Sequence, residues 1–371
     1  MLPGSPEEIA AFQLLQAKLP GLFNKVTQSR TQPQTAVAIP TLSLDPQHLV
    51  CFNASPLERT RAVELNIPLY ANDPALYSLG TKSGCRKVFR EAGIKFPDGF
   101  EDLRDGNDIA EALAVLYERD RTRRRSVVKL NDGFSGEGNA LFYYTGCEGR
   151  SGSDLRSHIY DNLENLRFEA PGEHWERYHA KFKEMQGVVE TFVEGDEKRS
   201  PSSQNRVNAA GGAMAISTHD QVLGGPSGQV FMGCTFPAAD EYRLEIQESG
   251  LRVARILAEK GVIGRFATDY VSVFKDGAWE HQAIEVNLRK GGTTHPFLTL
   301  RFLTDGNYNP DDGLFYSQTG RPKYYYASDS VQSDAYKGIG PSDPVDLAVV
   351  NDLHFHSSSE RGVVFHLLGA L

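Results

Sequence analysis

The most informative chemical pattern in this sequence is a group of oxygen-bearing side chains, with one arginine, between residues 269 and 289. Asp269 lies in one apolar run and Glu285-Val-Asn-Leu-Arg289 lies in the next, with Asp276-Gly277 between them. An Asp-Gly pair between two such runs predicts a β-hairpin, whose strands we expect at Arg265–Phe274 and Ala278–Asn287.

The spacing of these side chains indicates which chemistry they could share. Alternate residues of a strand point to the same face, so Glu285, Asn287 and Arg289 share a face that Asp269 can meet across the hairpin. Three oxygen ligands on one face suit Mg²⁺, which shares its remaining positions with water and nucleotide phosphates. An arginine beside them can hold a phosphoryl or acyl-phosphate oxygen. The alternative is an ordinary solvated strand face.

A glycine-rich segment, Val127-Val-Lys-Leu-Asn-Asp-Gly-Phe-Ser-Gly-Glu-Gly138, is a second candidate. Backbone N–H groups at Gly133, Gly136 and Gly138 can approach phosphate oxygens because no Cβ blocks them. Lys129, at the end of the preceding strand, supplies positive charge for the same phosphates. The glycine spacing fits neither a dinucleotide-binding loop nor a Walker A loop, and a strand follows instead of a helix. A plain flexible hairpin is the alternative.

A third segment, Val188-Val-Glu-Thr-Phe-Val-Glu-Gly195, is predicted to be a strand that runs into a turn. Such a segment can present backbone groups to adenine and a carboxylate, Glu194 or Glu197, to ribose hydroxyls. Taken alone, it is an unremarkable strand.

Hydrophobic periodicity predicts the elements that must position these segments. Short strands at 36–40, 49–52 and 67–70 alternate with a helix at 56–66, which is typical of a small α/β unit. An earlier helix is predicted after the N-cap Ser5, with Glu8 completing a capping box. Further helices are expected at 82–92, near 109–117, near 155–163, near 175–182 and at about 240–260. Further strands are expected at 126–130, 140–144 and 187–193, with β-structure at 205–216 and 221–236.

Composition excludes several classes of protein. The chain has 371 residues, and Lys+Arg 39 against Asp+Glu 48 gives a net charge of −9, which argues against a nucleic-acid partner. Its 4 cysteines show no C-x-x-C spacing and favour a reducing compartment. No apolar stretch reaches the length of a membrane span, and the acidic N-terminus is not typical of a signal peptide. We therefore expect a cytoplasmic protein that binds neither membranes nor nucleic acid.

The order of these features resembles the ATP-grasp superfamily from about Tyr70 to Pro296, most specifically at Asp269 with Glu285-Val-Asn-Leu-Arg289. A closer similarity is to peptide ligases of the pheganomycin type and to related γ-glutamyl–amino acid ligases. The segments that carry it are Leu79-Gly-Thr-Lys-Ser-Gly84, Ser200-Pro-Ser-Ser-Gln204, Ser217-Thr-His-Asp-Gln221, Gly233-Cys-Thr-Phe-Pro237, Asn287-Leu-Arg-Lys-Gly-Gly-Thr-Thr-His-Pro296 and Phe365-His-Leu-Leu-Gly-Ala370.

The resemblance implies a role for each matching residue. The residues implied to bind ATP are Lys82, Lys129, Gly133, Ser135, Gly136, Gly138, Glu190, Val193, Glu194 and Glu197. The residues implied to hold Mg²⁺ or Mn²⁺ are Asp269, Glu285 and Asn287. Arg289, with Lys129, would serve the chemical step by stabilising the acyl-phosphate. The segment implied to contact substrate is Gly291, Gly292, Thr293, Thr294 and His295.

The fold implied is α+β: an ATP-grasp fold of two α+β subdomains that grip ATP, after a shortened α/β pre-ATP-grasp domain. The ranges expected are 1–80 for the shortened domain, 81–190 and 191–300 for the two subdomains, and 301–371 for a C-terminal extension. The region before Lys82 is short for the family, and the family usually continues beyond Leu371. The resemblance implies an ATP-dependent ligase that joins amino acids or short peptides in natural-product biosynthesis, and it allows a homodimer.

Three other functions stay open at this point: a small-molecule kinase of the same fold, a non-catalytic ATP-binding module, and a substrate-binding protein without an ATP site. His354-Phe-His356 could ligate a metal, but we expect a strand with two outward histidines and no nearby cysteine or acid cluster. For His219 and His295 a structural role and a substrate contact are both open. Tyr324–Tyr326 is expected to pack in the protein and not to stack on bases, and the basic run Arg121–Arg125 to be solvated.

Overall fold

Antiparallel strands dominate the architecture that positions the candidate site. The computed structural model describes residues 37–40, 46–133, 138–195, 197–224, 230–329, 331 and 333–365. The predicted N-terminal helix, Ser135 and Gly136 lie outside these residues. In chain order the strands are β1 Val37–Pro40, β2 Pro46–Val50, β3 Gly99–Leu103, β4 Arg125–Leu130, β5 Asn139–Tyr143, β6 Arg167–Phe168, β7 Gly187–Thr191, β8 Glu197–Arg199, β9 Pro201–Val207, β10 Ala213–Gly224, β11 Val230–Phe236, β12 Gly264–Lys275, β13 Ala278–Asn287, β14 Asn307–Asn309, β15 Leu314–Tyr316, β16 Pro322–Lys323 and β17 Tyr325–Ala327.

The six helices predicted between residues 56 and 260 are confirmed within a few residues at their ends, whereas the helices Thr294–Thr304 and Asp343–Val350 were not predicted. Their bounds are Pro56–Glu64, Lys82–Ala92, Gly106–Arg119, Gly152–Asp161, Trp175–Met185, Arg243–Glu259, Thr294–Thr304 and Asp343–Val350, with 3₁₀ turns at Pro74–Gly80, Leu163–Asn165 and Asp334–Tyr336. Among the residues described, no helix is long and apolar enough to cross a membrane.

Two sheets carry the segments identified in the sequence. A 5-stranded sheet has the order β3-β7-β4-β5-β6, and a 7-stranded sheet has the order β13-β12-β9-β10-β11-β17, with β8 paired to β12. The glycine-rich segment joins β4 to β5 in the first sheet, and the predicted hairpin forms β12 and β13 in the second. Smaller sheets have the orders β1-β2 and β14-β15-β16. The mixed helix and sheet content confirms the α+β prediction, whereas the predicted domain boundaries stay a prediction.

The strand predicted at 67–70 is wrong. Only an isolated bridge joins Leu49 to Leu69 there. Leu49 donates its N–H to the Pro68 carbonyl, and Tyr70 donates to the Leu49 carbonyl. Pro68 has no N–H to donate, so the ladder cannot extend from this exchange towards residue 67.

Each large sheet has its own apolar core. In the first, Ile109, Leu113 and Leu116 of one helix pack with Tyr178 and Phe182 of another, all fully buried. The second core joins the Lys82–Ala92 and Arg243–Glu259 helices to β12 and β13. The Lys82–Ala92 helix therefore belongs structurally with the second sheet, although it also reaches the first.

The start of the Lys82–Ala92 helix is held against both sheets by specific contacts. Thr81 caps the helix by accepting the Gly84 N–H at 3.1 Å. A Cβ at Gly84 would lie 1.8 Å from the Ser78 carbonyl oxygen, so only glycine allows the preceding 3₁₀ turn to pack here. The Val286 N–H of β13 donates to Cys85 Sγ at 3.1 Å. These contacts bring Lys82 to the end of β13, where the predicted metal ligands lie.

Candidate active site

The three predicted metal ligands lie on one face of the β12–β13 hairpin. Asp269 is directly opposite Glu285 in the ladder, and Asn287 is opposite Ala267, two residues before Asp269. Asn287 Nδ2 donates to Asp269 Oδ2 at 2.8 Å, and Ser202 Oγ from the neighbouring strand donates to Asp269 Oδ1 at 2.6 Å. The register therefore gathers two carboxylates and one amide, as the alternation of the sequence predicts.

The donor set fits a hard divalent cation. Asp269 and Glu285 face each other, and burial together with the charge of Glu285 raises the pKa of Asp269 to about 6. Two buried carboxylates that face each other in this way repel unless a proton or a cation lies near them. Oxygen atoms of Asp, Glu and Asn are the ligands that Mg²⁺ prefers.

A lysine from the Lys82–Ala92 helix contacts one of these two carboxylates. Lys82 Nζ lies 2.5 Å from Glu285 Oε2, and both side chains are largely buried. Burial disfavours the charged form of each group, but the attraction between the two opposite charges outweighs this effect. The pKa of Lys82 is therefore raised and the pKa of Glu285 is lowered. Asp269, which has no such cation in contact, is the member of the pair that keeps its proton up to about pH 6.

A second buried ion pair lies at the end of β4. Lys129 Nζ is 2.5 Å from Glu190 Oε2, and Arg86 Nη1 donates to Glu190 Oε1 at 2.7 Å. Burial would raise the pKa of Glu190, but Lys129 and Arg86 lower it below its usual value. Glu190, predicted from the resemblance to meet adenine, is thus held between two cations and fixes the position of Lys129.

The two ion pairs act on each other across the two sheets. Glu190 contributes to the raised pKa of Lys82, and Lys129 contributes to the lowered pKa of Glu285. We call Lys82, Lys129, Glu190 and Glu285 the lysine–glutamate quartet. It connects β4 and β7 of the first sheet with β13 of the second, so the predicted nucleotide ligands and metal ligands converge at one place.

The base of the glycine-rich loop lies beside this quartet. The N–H groups of Lys82 and Ser83 donate to the carbonyl and side-chain oxygens of Asn131, at 3.1 and 2.9 Å. A Cβ at Gly133 would lie 3.1 Å from the backbone nitrogen of Gly138, so the two ends of the loop touch. The predicted phosphate loop therefore starts and ends within reach of Lys82.

The other residues predicted to meet adenine and ribose lie after β7, with Val193 and Glu194 on the connection to β8 and Glu197 at the start of β8, and each already has a partner. Glu194 forms two hydrogen bonds with Arg125, at 3.0 and 3.1 Å. Glu197 pairs with Arg199 at 2.9 Å, and the Val193 carbonyl accepts from Lys198 at 2.5 Å. Their nucleotide roles stay predictions. The run before β4 is also largely paired: Arg121, Arg123, Arg124 and Arg125 all contact carboxylates.

Arg289 lies just beyond β13 with its guanidinium near the metal face. Arg289 Nη1 donates to the Lys290 carbonyl at 2.9 Å, and the guanidinium carbon lies 5.6 Å from the Phe52 ring centre. The positive charge of Arg289 favours the ionised forms of Asp269 and Glu285. Its influence on their pKa values is smaller than that of burial and of the nearer charged groups. In the described part of the chain no carboxylate forms an ion pair with Arg289, so its charge is available to an anionic group.

Sequence reasoning missed three residues that hold the site in place. Arg86 lies one turn after Lys82 on the same side of the helix. This i, i+4 pair of cations was the signal in the sequence that could have pointed to Arg86. Ser202 and Gln204 lie in the Ser200–Gln204 segment, which carried the family resemblance but no assigned role. Gln204 Nε2 donates to Ser202 Oγ at 2.9 Å, which in turn donates to Asp269.

The expectation for His354 and His356 is corrected by the structure. The segment is not a strand, and isolated bridges hold it. The two imidazole rings lie 4.0 Å apart, and Asp352 Oδ1 is 3.0 Å from His356 Nε2, so an acid does lie beside them. The three residues form a cluster with ligand atoms within 4.8 Å of one another, on the surface of the C-terminal segment.

Two other aromatic predictions have mixed outcomes. His219 is fully buried, and its Nε2 lies 2.7 Å from the Tyr325 hydroxyl. Burial lowers the pKa of His219 to about 3, and these features favour a structural role. Packing of the 324–326 run is confirmed only for Tyr325, which stacks on Phe236. Tyr324 and Tyr326 point to the other face of β17 and are exposed. His295 is exposed in the first turn of its helix.

Comparison with known proteins identifies the architecture. Residues 74–148 match a family model described as IQCH-like, ATP-grasp. The fold is also similar to that of pyruvate carboxylase from Rhizobium etli, with a TM-score of 0.50 and 16% identity, over 75% of this chain and 22% of that one. This is an ATP-grasp fold. The fold predicted from the sequence is thereby confirmed.

One relative of this chain confirms the predicted resemblance to carboxylate–amine ligases. The chain is 29% identical over 298 residues to L-propargylglycine–L-glutamate ligase of Streptantibioticus cattleyicolor, covering 79% of this chain and 57% of that protein. It is 24% identical over 277 residues to IQ motif-containing protein H of Danio rerio, covering 67% of this chain and 26% of that protein. The ATP-grasp chain thus spans little more than half of one relative and about a quarter of the other.

The raised pKa of Asp269 predicts how stability and metal binding depend on pH. Between about pH 4 and pH 6 the folded protein keeps a proton on Asp269 that the unfolded chain has lost, so the free energy of unfolding falls as pH rises through this window. A divalent ion must displace that proton, so we expect Mg²⁺ affinity to weaken as pH falls below about 6. Thermal unfolding in chelator and Mg²⁺ titrations, each from pH 5 to 7.5, measure the two effects.

Asp269→Asn is the control for this prediction. The amide cannot titrate, so this contribution to the pH dependence of stability disappears, and the variant is more stable than the wild type in chelator at pH 7.5. A variant with the same pH slope as the wild type would contradict the assignment of the proton to Asp269.

Proposed function

We propose that this chain is an ATP-dependent carboxylate–amine ligase that acts on amino acids or short peptides. The observation that carries the proposal is the convergence of the oxygen-rich face of β12–β13 with the lysine–glutamate quartet at the boundary of two sheets. The resemblance to a ligase whose name specifies two amino acids supports the substrate class. We include in the proposal the cytoplasmic location and the natural-product setting predicted from the sequence, and leave the choice between an α-peptide and a γ-glutamyl bond open.

The cationic side chains define where the phosphates of ATP would bind. Lys82 and Lys129 are buried and close to Glu285 and Glu190, so they are held rigidly at the cleft. Phosphate oxygens that bind beside these lysines would meet two positive charges that are already in position. The base of the glycine-rich loop, at Gly133 and Gly138, lies next to the same lysines. The remaining predicted contacts, from Val193, Glu194 and Glu197, would hold adenine and ribose on the β7–β8 connection.

The chemical step would follow at the metal face. The substrate carboxylate oxygen attacks the γ-phosphorus, the bond to ADP breaks, and an acyl-phosphate forms. The substrate amine then attacks the acyl carbon, loses a proton and releases phosphate. Arg289 stabilises the negative charge that develops on the transferred phosphoryl group. Mg²⁺ or Mn²⁺, held by Asp269, Glu285 and Asn287, supplies charge neutralisation for the same group.

Positioning and electrostatic stabilisation account for this chemistry without a covalent protein nucleophile. The cysteines are buried, and burial raises the pKa of each thiol: Cys51 and Cys147 to about 11, and Cys85 and Cys234 to about 12. A thiol with a raised pKa is a poor nucleophile near neutral pH because the thiolate is the reactive form.

An assay of ADP release across pairs of amino acids tests the proposal. We expect at least one pair to give ADP only when acid and amine are both present, with a product whose mass is the sum of the two minus one water. Mass spectrometry of the same reactions identifies the product. ADP with a phosphorylated acid and no dependence on amine would indicate a kinase instead. ATP binding without turnover for any pair would indicate a non-catalytic module.

A further inference from the structure

Two histidines and an aspartate lie together in the C-terminal segment, and the proposed ligase chemistry uses none of them. We call Asp352, His354 and His356 the histidine cluster. Each residue offers one ligand atom, and these atoms lie within 4.8 Å of one another. The centres of the two imidazole rings are 4.0 Å apart. Asp352 is exposed and both histidines are half-buried, so an ion from solvent can reach the cluster.

The backbone holds the two histidines side by side. An isolated bridge joins His354 to Val363. A second bridge joins His356 to Arg361, whose carbonyl accepts the His356 N–H at 2.8 Å. A Cβ at Gly362 would lie 2.2 Å from the His354 carbonyl oxygen, so only glycine allows the two sides of the loop to approach this closely. The loop that carries both imidazoles is therefore closed at its base.

The end of the preceding helix supplies the carboxylate of the cluster. The Asp352 N–H donates to the Val349 carbonyl at 3.1 Å, and Asp352 has a φ of 56°. This left-handed conformation ends the helix and turns the chain, and aspartate is one of the few residues with a side chain that adopt it readily. Asp352 Oδ1 lies 3.0 Å from His356 Nε2. The turn thus brings the carboxylate to the imidazoles.

A second acidic side chain of the same loop is engaged elsewhere. Glu360 Oε2 lies 2.6 Å from Lys323 Nζ, and the Glu360 carbonyl accepts from the same ammonium group at 3.4 Å. These contacts fasten the loop to β16, which contains Lys323. Asp352 is therefore the carboxylate that is left to face the histidines, on a loop already fixed at another point.

One ring nitrogen of the cluster lacks a partner. His354 Nδ1 is shielded from solvent, yet it forms no hydrogen bond with any residue in the described part of the chain. A buried polar atom without a partner costs about 1–3 kcal/mol, and native proteins contain few of them. A metal ion is one group that can complete an imidazole nitrogen.

The donor set favours a transition-metal ion over Mg²⁺. Imidazole nitrogen is a typical ligand of Zn²⁺, Cu²⁺ and Ni²⁺, whereas Mg²⁺ takes oxygen ligands. Zn²⁺ bonds to nitrogen and to carboxylate oxygen at about 2.0–2.2 Å, so the ligand atoms of a tetrahedral site lie roughly 3.3–3.6 Å apart. The contact between Asp352 and His356 is already near this spacing. Rotation of side chains is enough to bring His354 to it as well.

We propose that Asp352, His354 and His356 bind a divalent transition-metal ion, with Zn²⁺ as the probe and water in the fourth position. The ion would connect the end of the Asp343–Val350 helix to the loop that follows and so stabilise the C-terminal segment. The site shares no ligand with the oxygen-rich face of β12–β13, and it does not depend on the proposed ligase function. An ordinary surface ion pair between Asp352 and His356 is the alternative.

Equilibrium dialysis against Zn²⁺ in excess Mg²⁺ is the first test, because Mg²⁺ competes for oxygen-rich sites and leaves nitrogen ligands free. We expect His354→Ala and His356→Ala each to weaken Zn²⁺ binding roughly tenfold or more. Asp352→Asn keeps a residue that tolerates a positive φ but removes the charge, and it should weaken binding too. His174→Ala is the matched control, since His174 is an exposed histidine that contacts the Glu176 carboxylate at 2.8 Å.

Two further measurements distinguish a metal site from misfolding. Zn²⁺ should raise the melting temperature of the wild type and of His174→Ala but not that of His356→Ala, whereas all three should melt together in chelator. Co²⁺ in place of Zn²⁺ should give the visible absorption of a four-coordinate site, and His356→Ala should lose it.

Unchanged Zn²⁺ affinity in both variants of the cluster histidines, or an equal loss in His174→Ala, overturns the inference and leaves an ordinary ion pair at the surface. None of these measurements needs ATP or turnover. A failure of the ligase proposal would therefore leave the result at the histidine cluster unchanged, and the reverse holds as well.

Discussion

Glu285→Gln is expected to lower the rate of ATP turnover by about a thousandfold or more, because it removes a metal ligand at the place where phosphoryl charge develops. The amide keeps the shape of the side chain and can still accept a hydrogen bond from Lys82, so we expect the variant to fold. The loss should be accompanied by weaker Mg²⁺ binding, since one of two carboxylates on the metal face is gone. ADP release at saturating ATP, with Mg²⁺ affinity measured in parallel, checks both effects.

Glu280→Gln is the matched control for this substitution. Glu280 lies on the same strand, β13, opposite Val273 and away from the metal face. The same change of charge there should leave turnover close to that of the wild type. Turnover within about tenfold of the wild type in a folded Glu285→Gln protein would remove Glu285 from the metal site.

Arg289→Met is expected to lower kcat by roughly 10²–10³-fold while the affinity for ATP changes little. The reason is that Arg289 stands beside the metal face with no carboxylate partner among the described residues, so its charge is free to stabilise the transition state. Arg289→Lys should recover only part of the loss, because an ammonium group cannot make the two parallel hydrogen bonds of a guanidinium. Single-turnover rates and direct ATP binding separate the two quantities.

Arg61→Gln provides the corresponding surface control. Arg61 is an exposed residue of the Pro56–Glu64 helix and pairs with Glu64 of that helix. Its replacement removes one positive charge without touching the cleft. If Arg289→Met and Arg61→Gln have the same kcat, Arg289 has no role in the chemical step.

The local pattern of the sequence predicted the hairpin and part of the metal face. Asp276-Gly277 specifies a tight turn, and the period of two in Glu285-Val-Asn-Leu-Arg289 selects one face. A regular ladder from that turn would pair Asp269 with Ile284, but a register shift between Tyr270 and Asp269 leaves Ile284 unpaired and brings Glu285 opposite Asp269, which the pattern did not reveal. The helix at Lys82–Ala92 was predictable for a similar reason, since Thr81 caps it and Gly93 ends it with a φ of 61°.

The contacts between distant segments could not be predicted in this way. Lys82 and Glu285 are far apart in sequence, and the periodicity of neither segment shows which buried charge meets the other. The same holds for Arg206 opposite Arg265, which depends on the pairing of β9 with β12. The resemblance placed Lys82 and Glu190 at the nucleotide, but it did not indicate that each would be held by a charge of opposite sign.

Two of the errors in the sequence analysis have local physical causes. The 67–70 strand was predicted from its apolar residues, but Pro68 removes the donor that a second ladder bond would need. The acid beside His356 was overlooked because Asp352 reaches it around a turn at i, i+4 spacing, which a strand model does not consider. In both places the local backbone geometry outweighed the side-chain pattern.

The lysine–glutamate quartet has a consequence for the order in which ligands bind. In the protein described, Glu285 is held by Lys82, so a metal ion and a nucleotide do not enter independent sites. Phosphates that draw Lys82 toward themselves would free Glu285 for the metal, and a metal bound to Glu285 would release Lys82 for the phosphates. By thermodynamic linkage each ligand then raises the affinity for the other by the same factor. The Lys82–Glu285 ion pair, which joins the two sheets, would thus make the binding of ATP and of its metal ion cooperative.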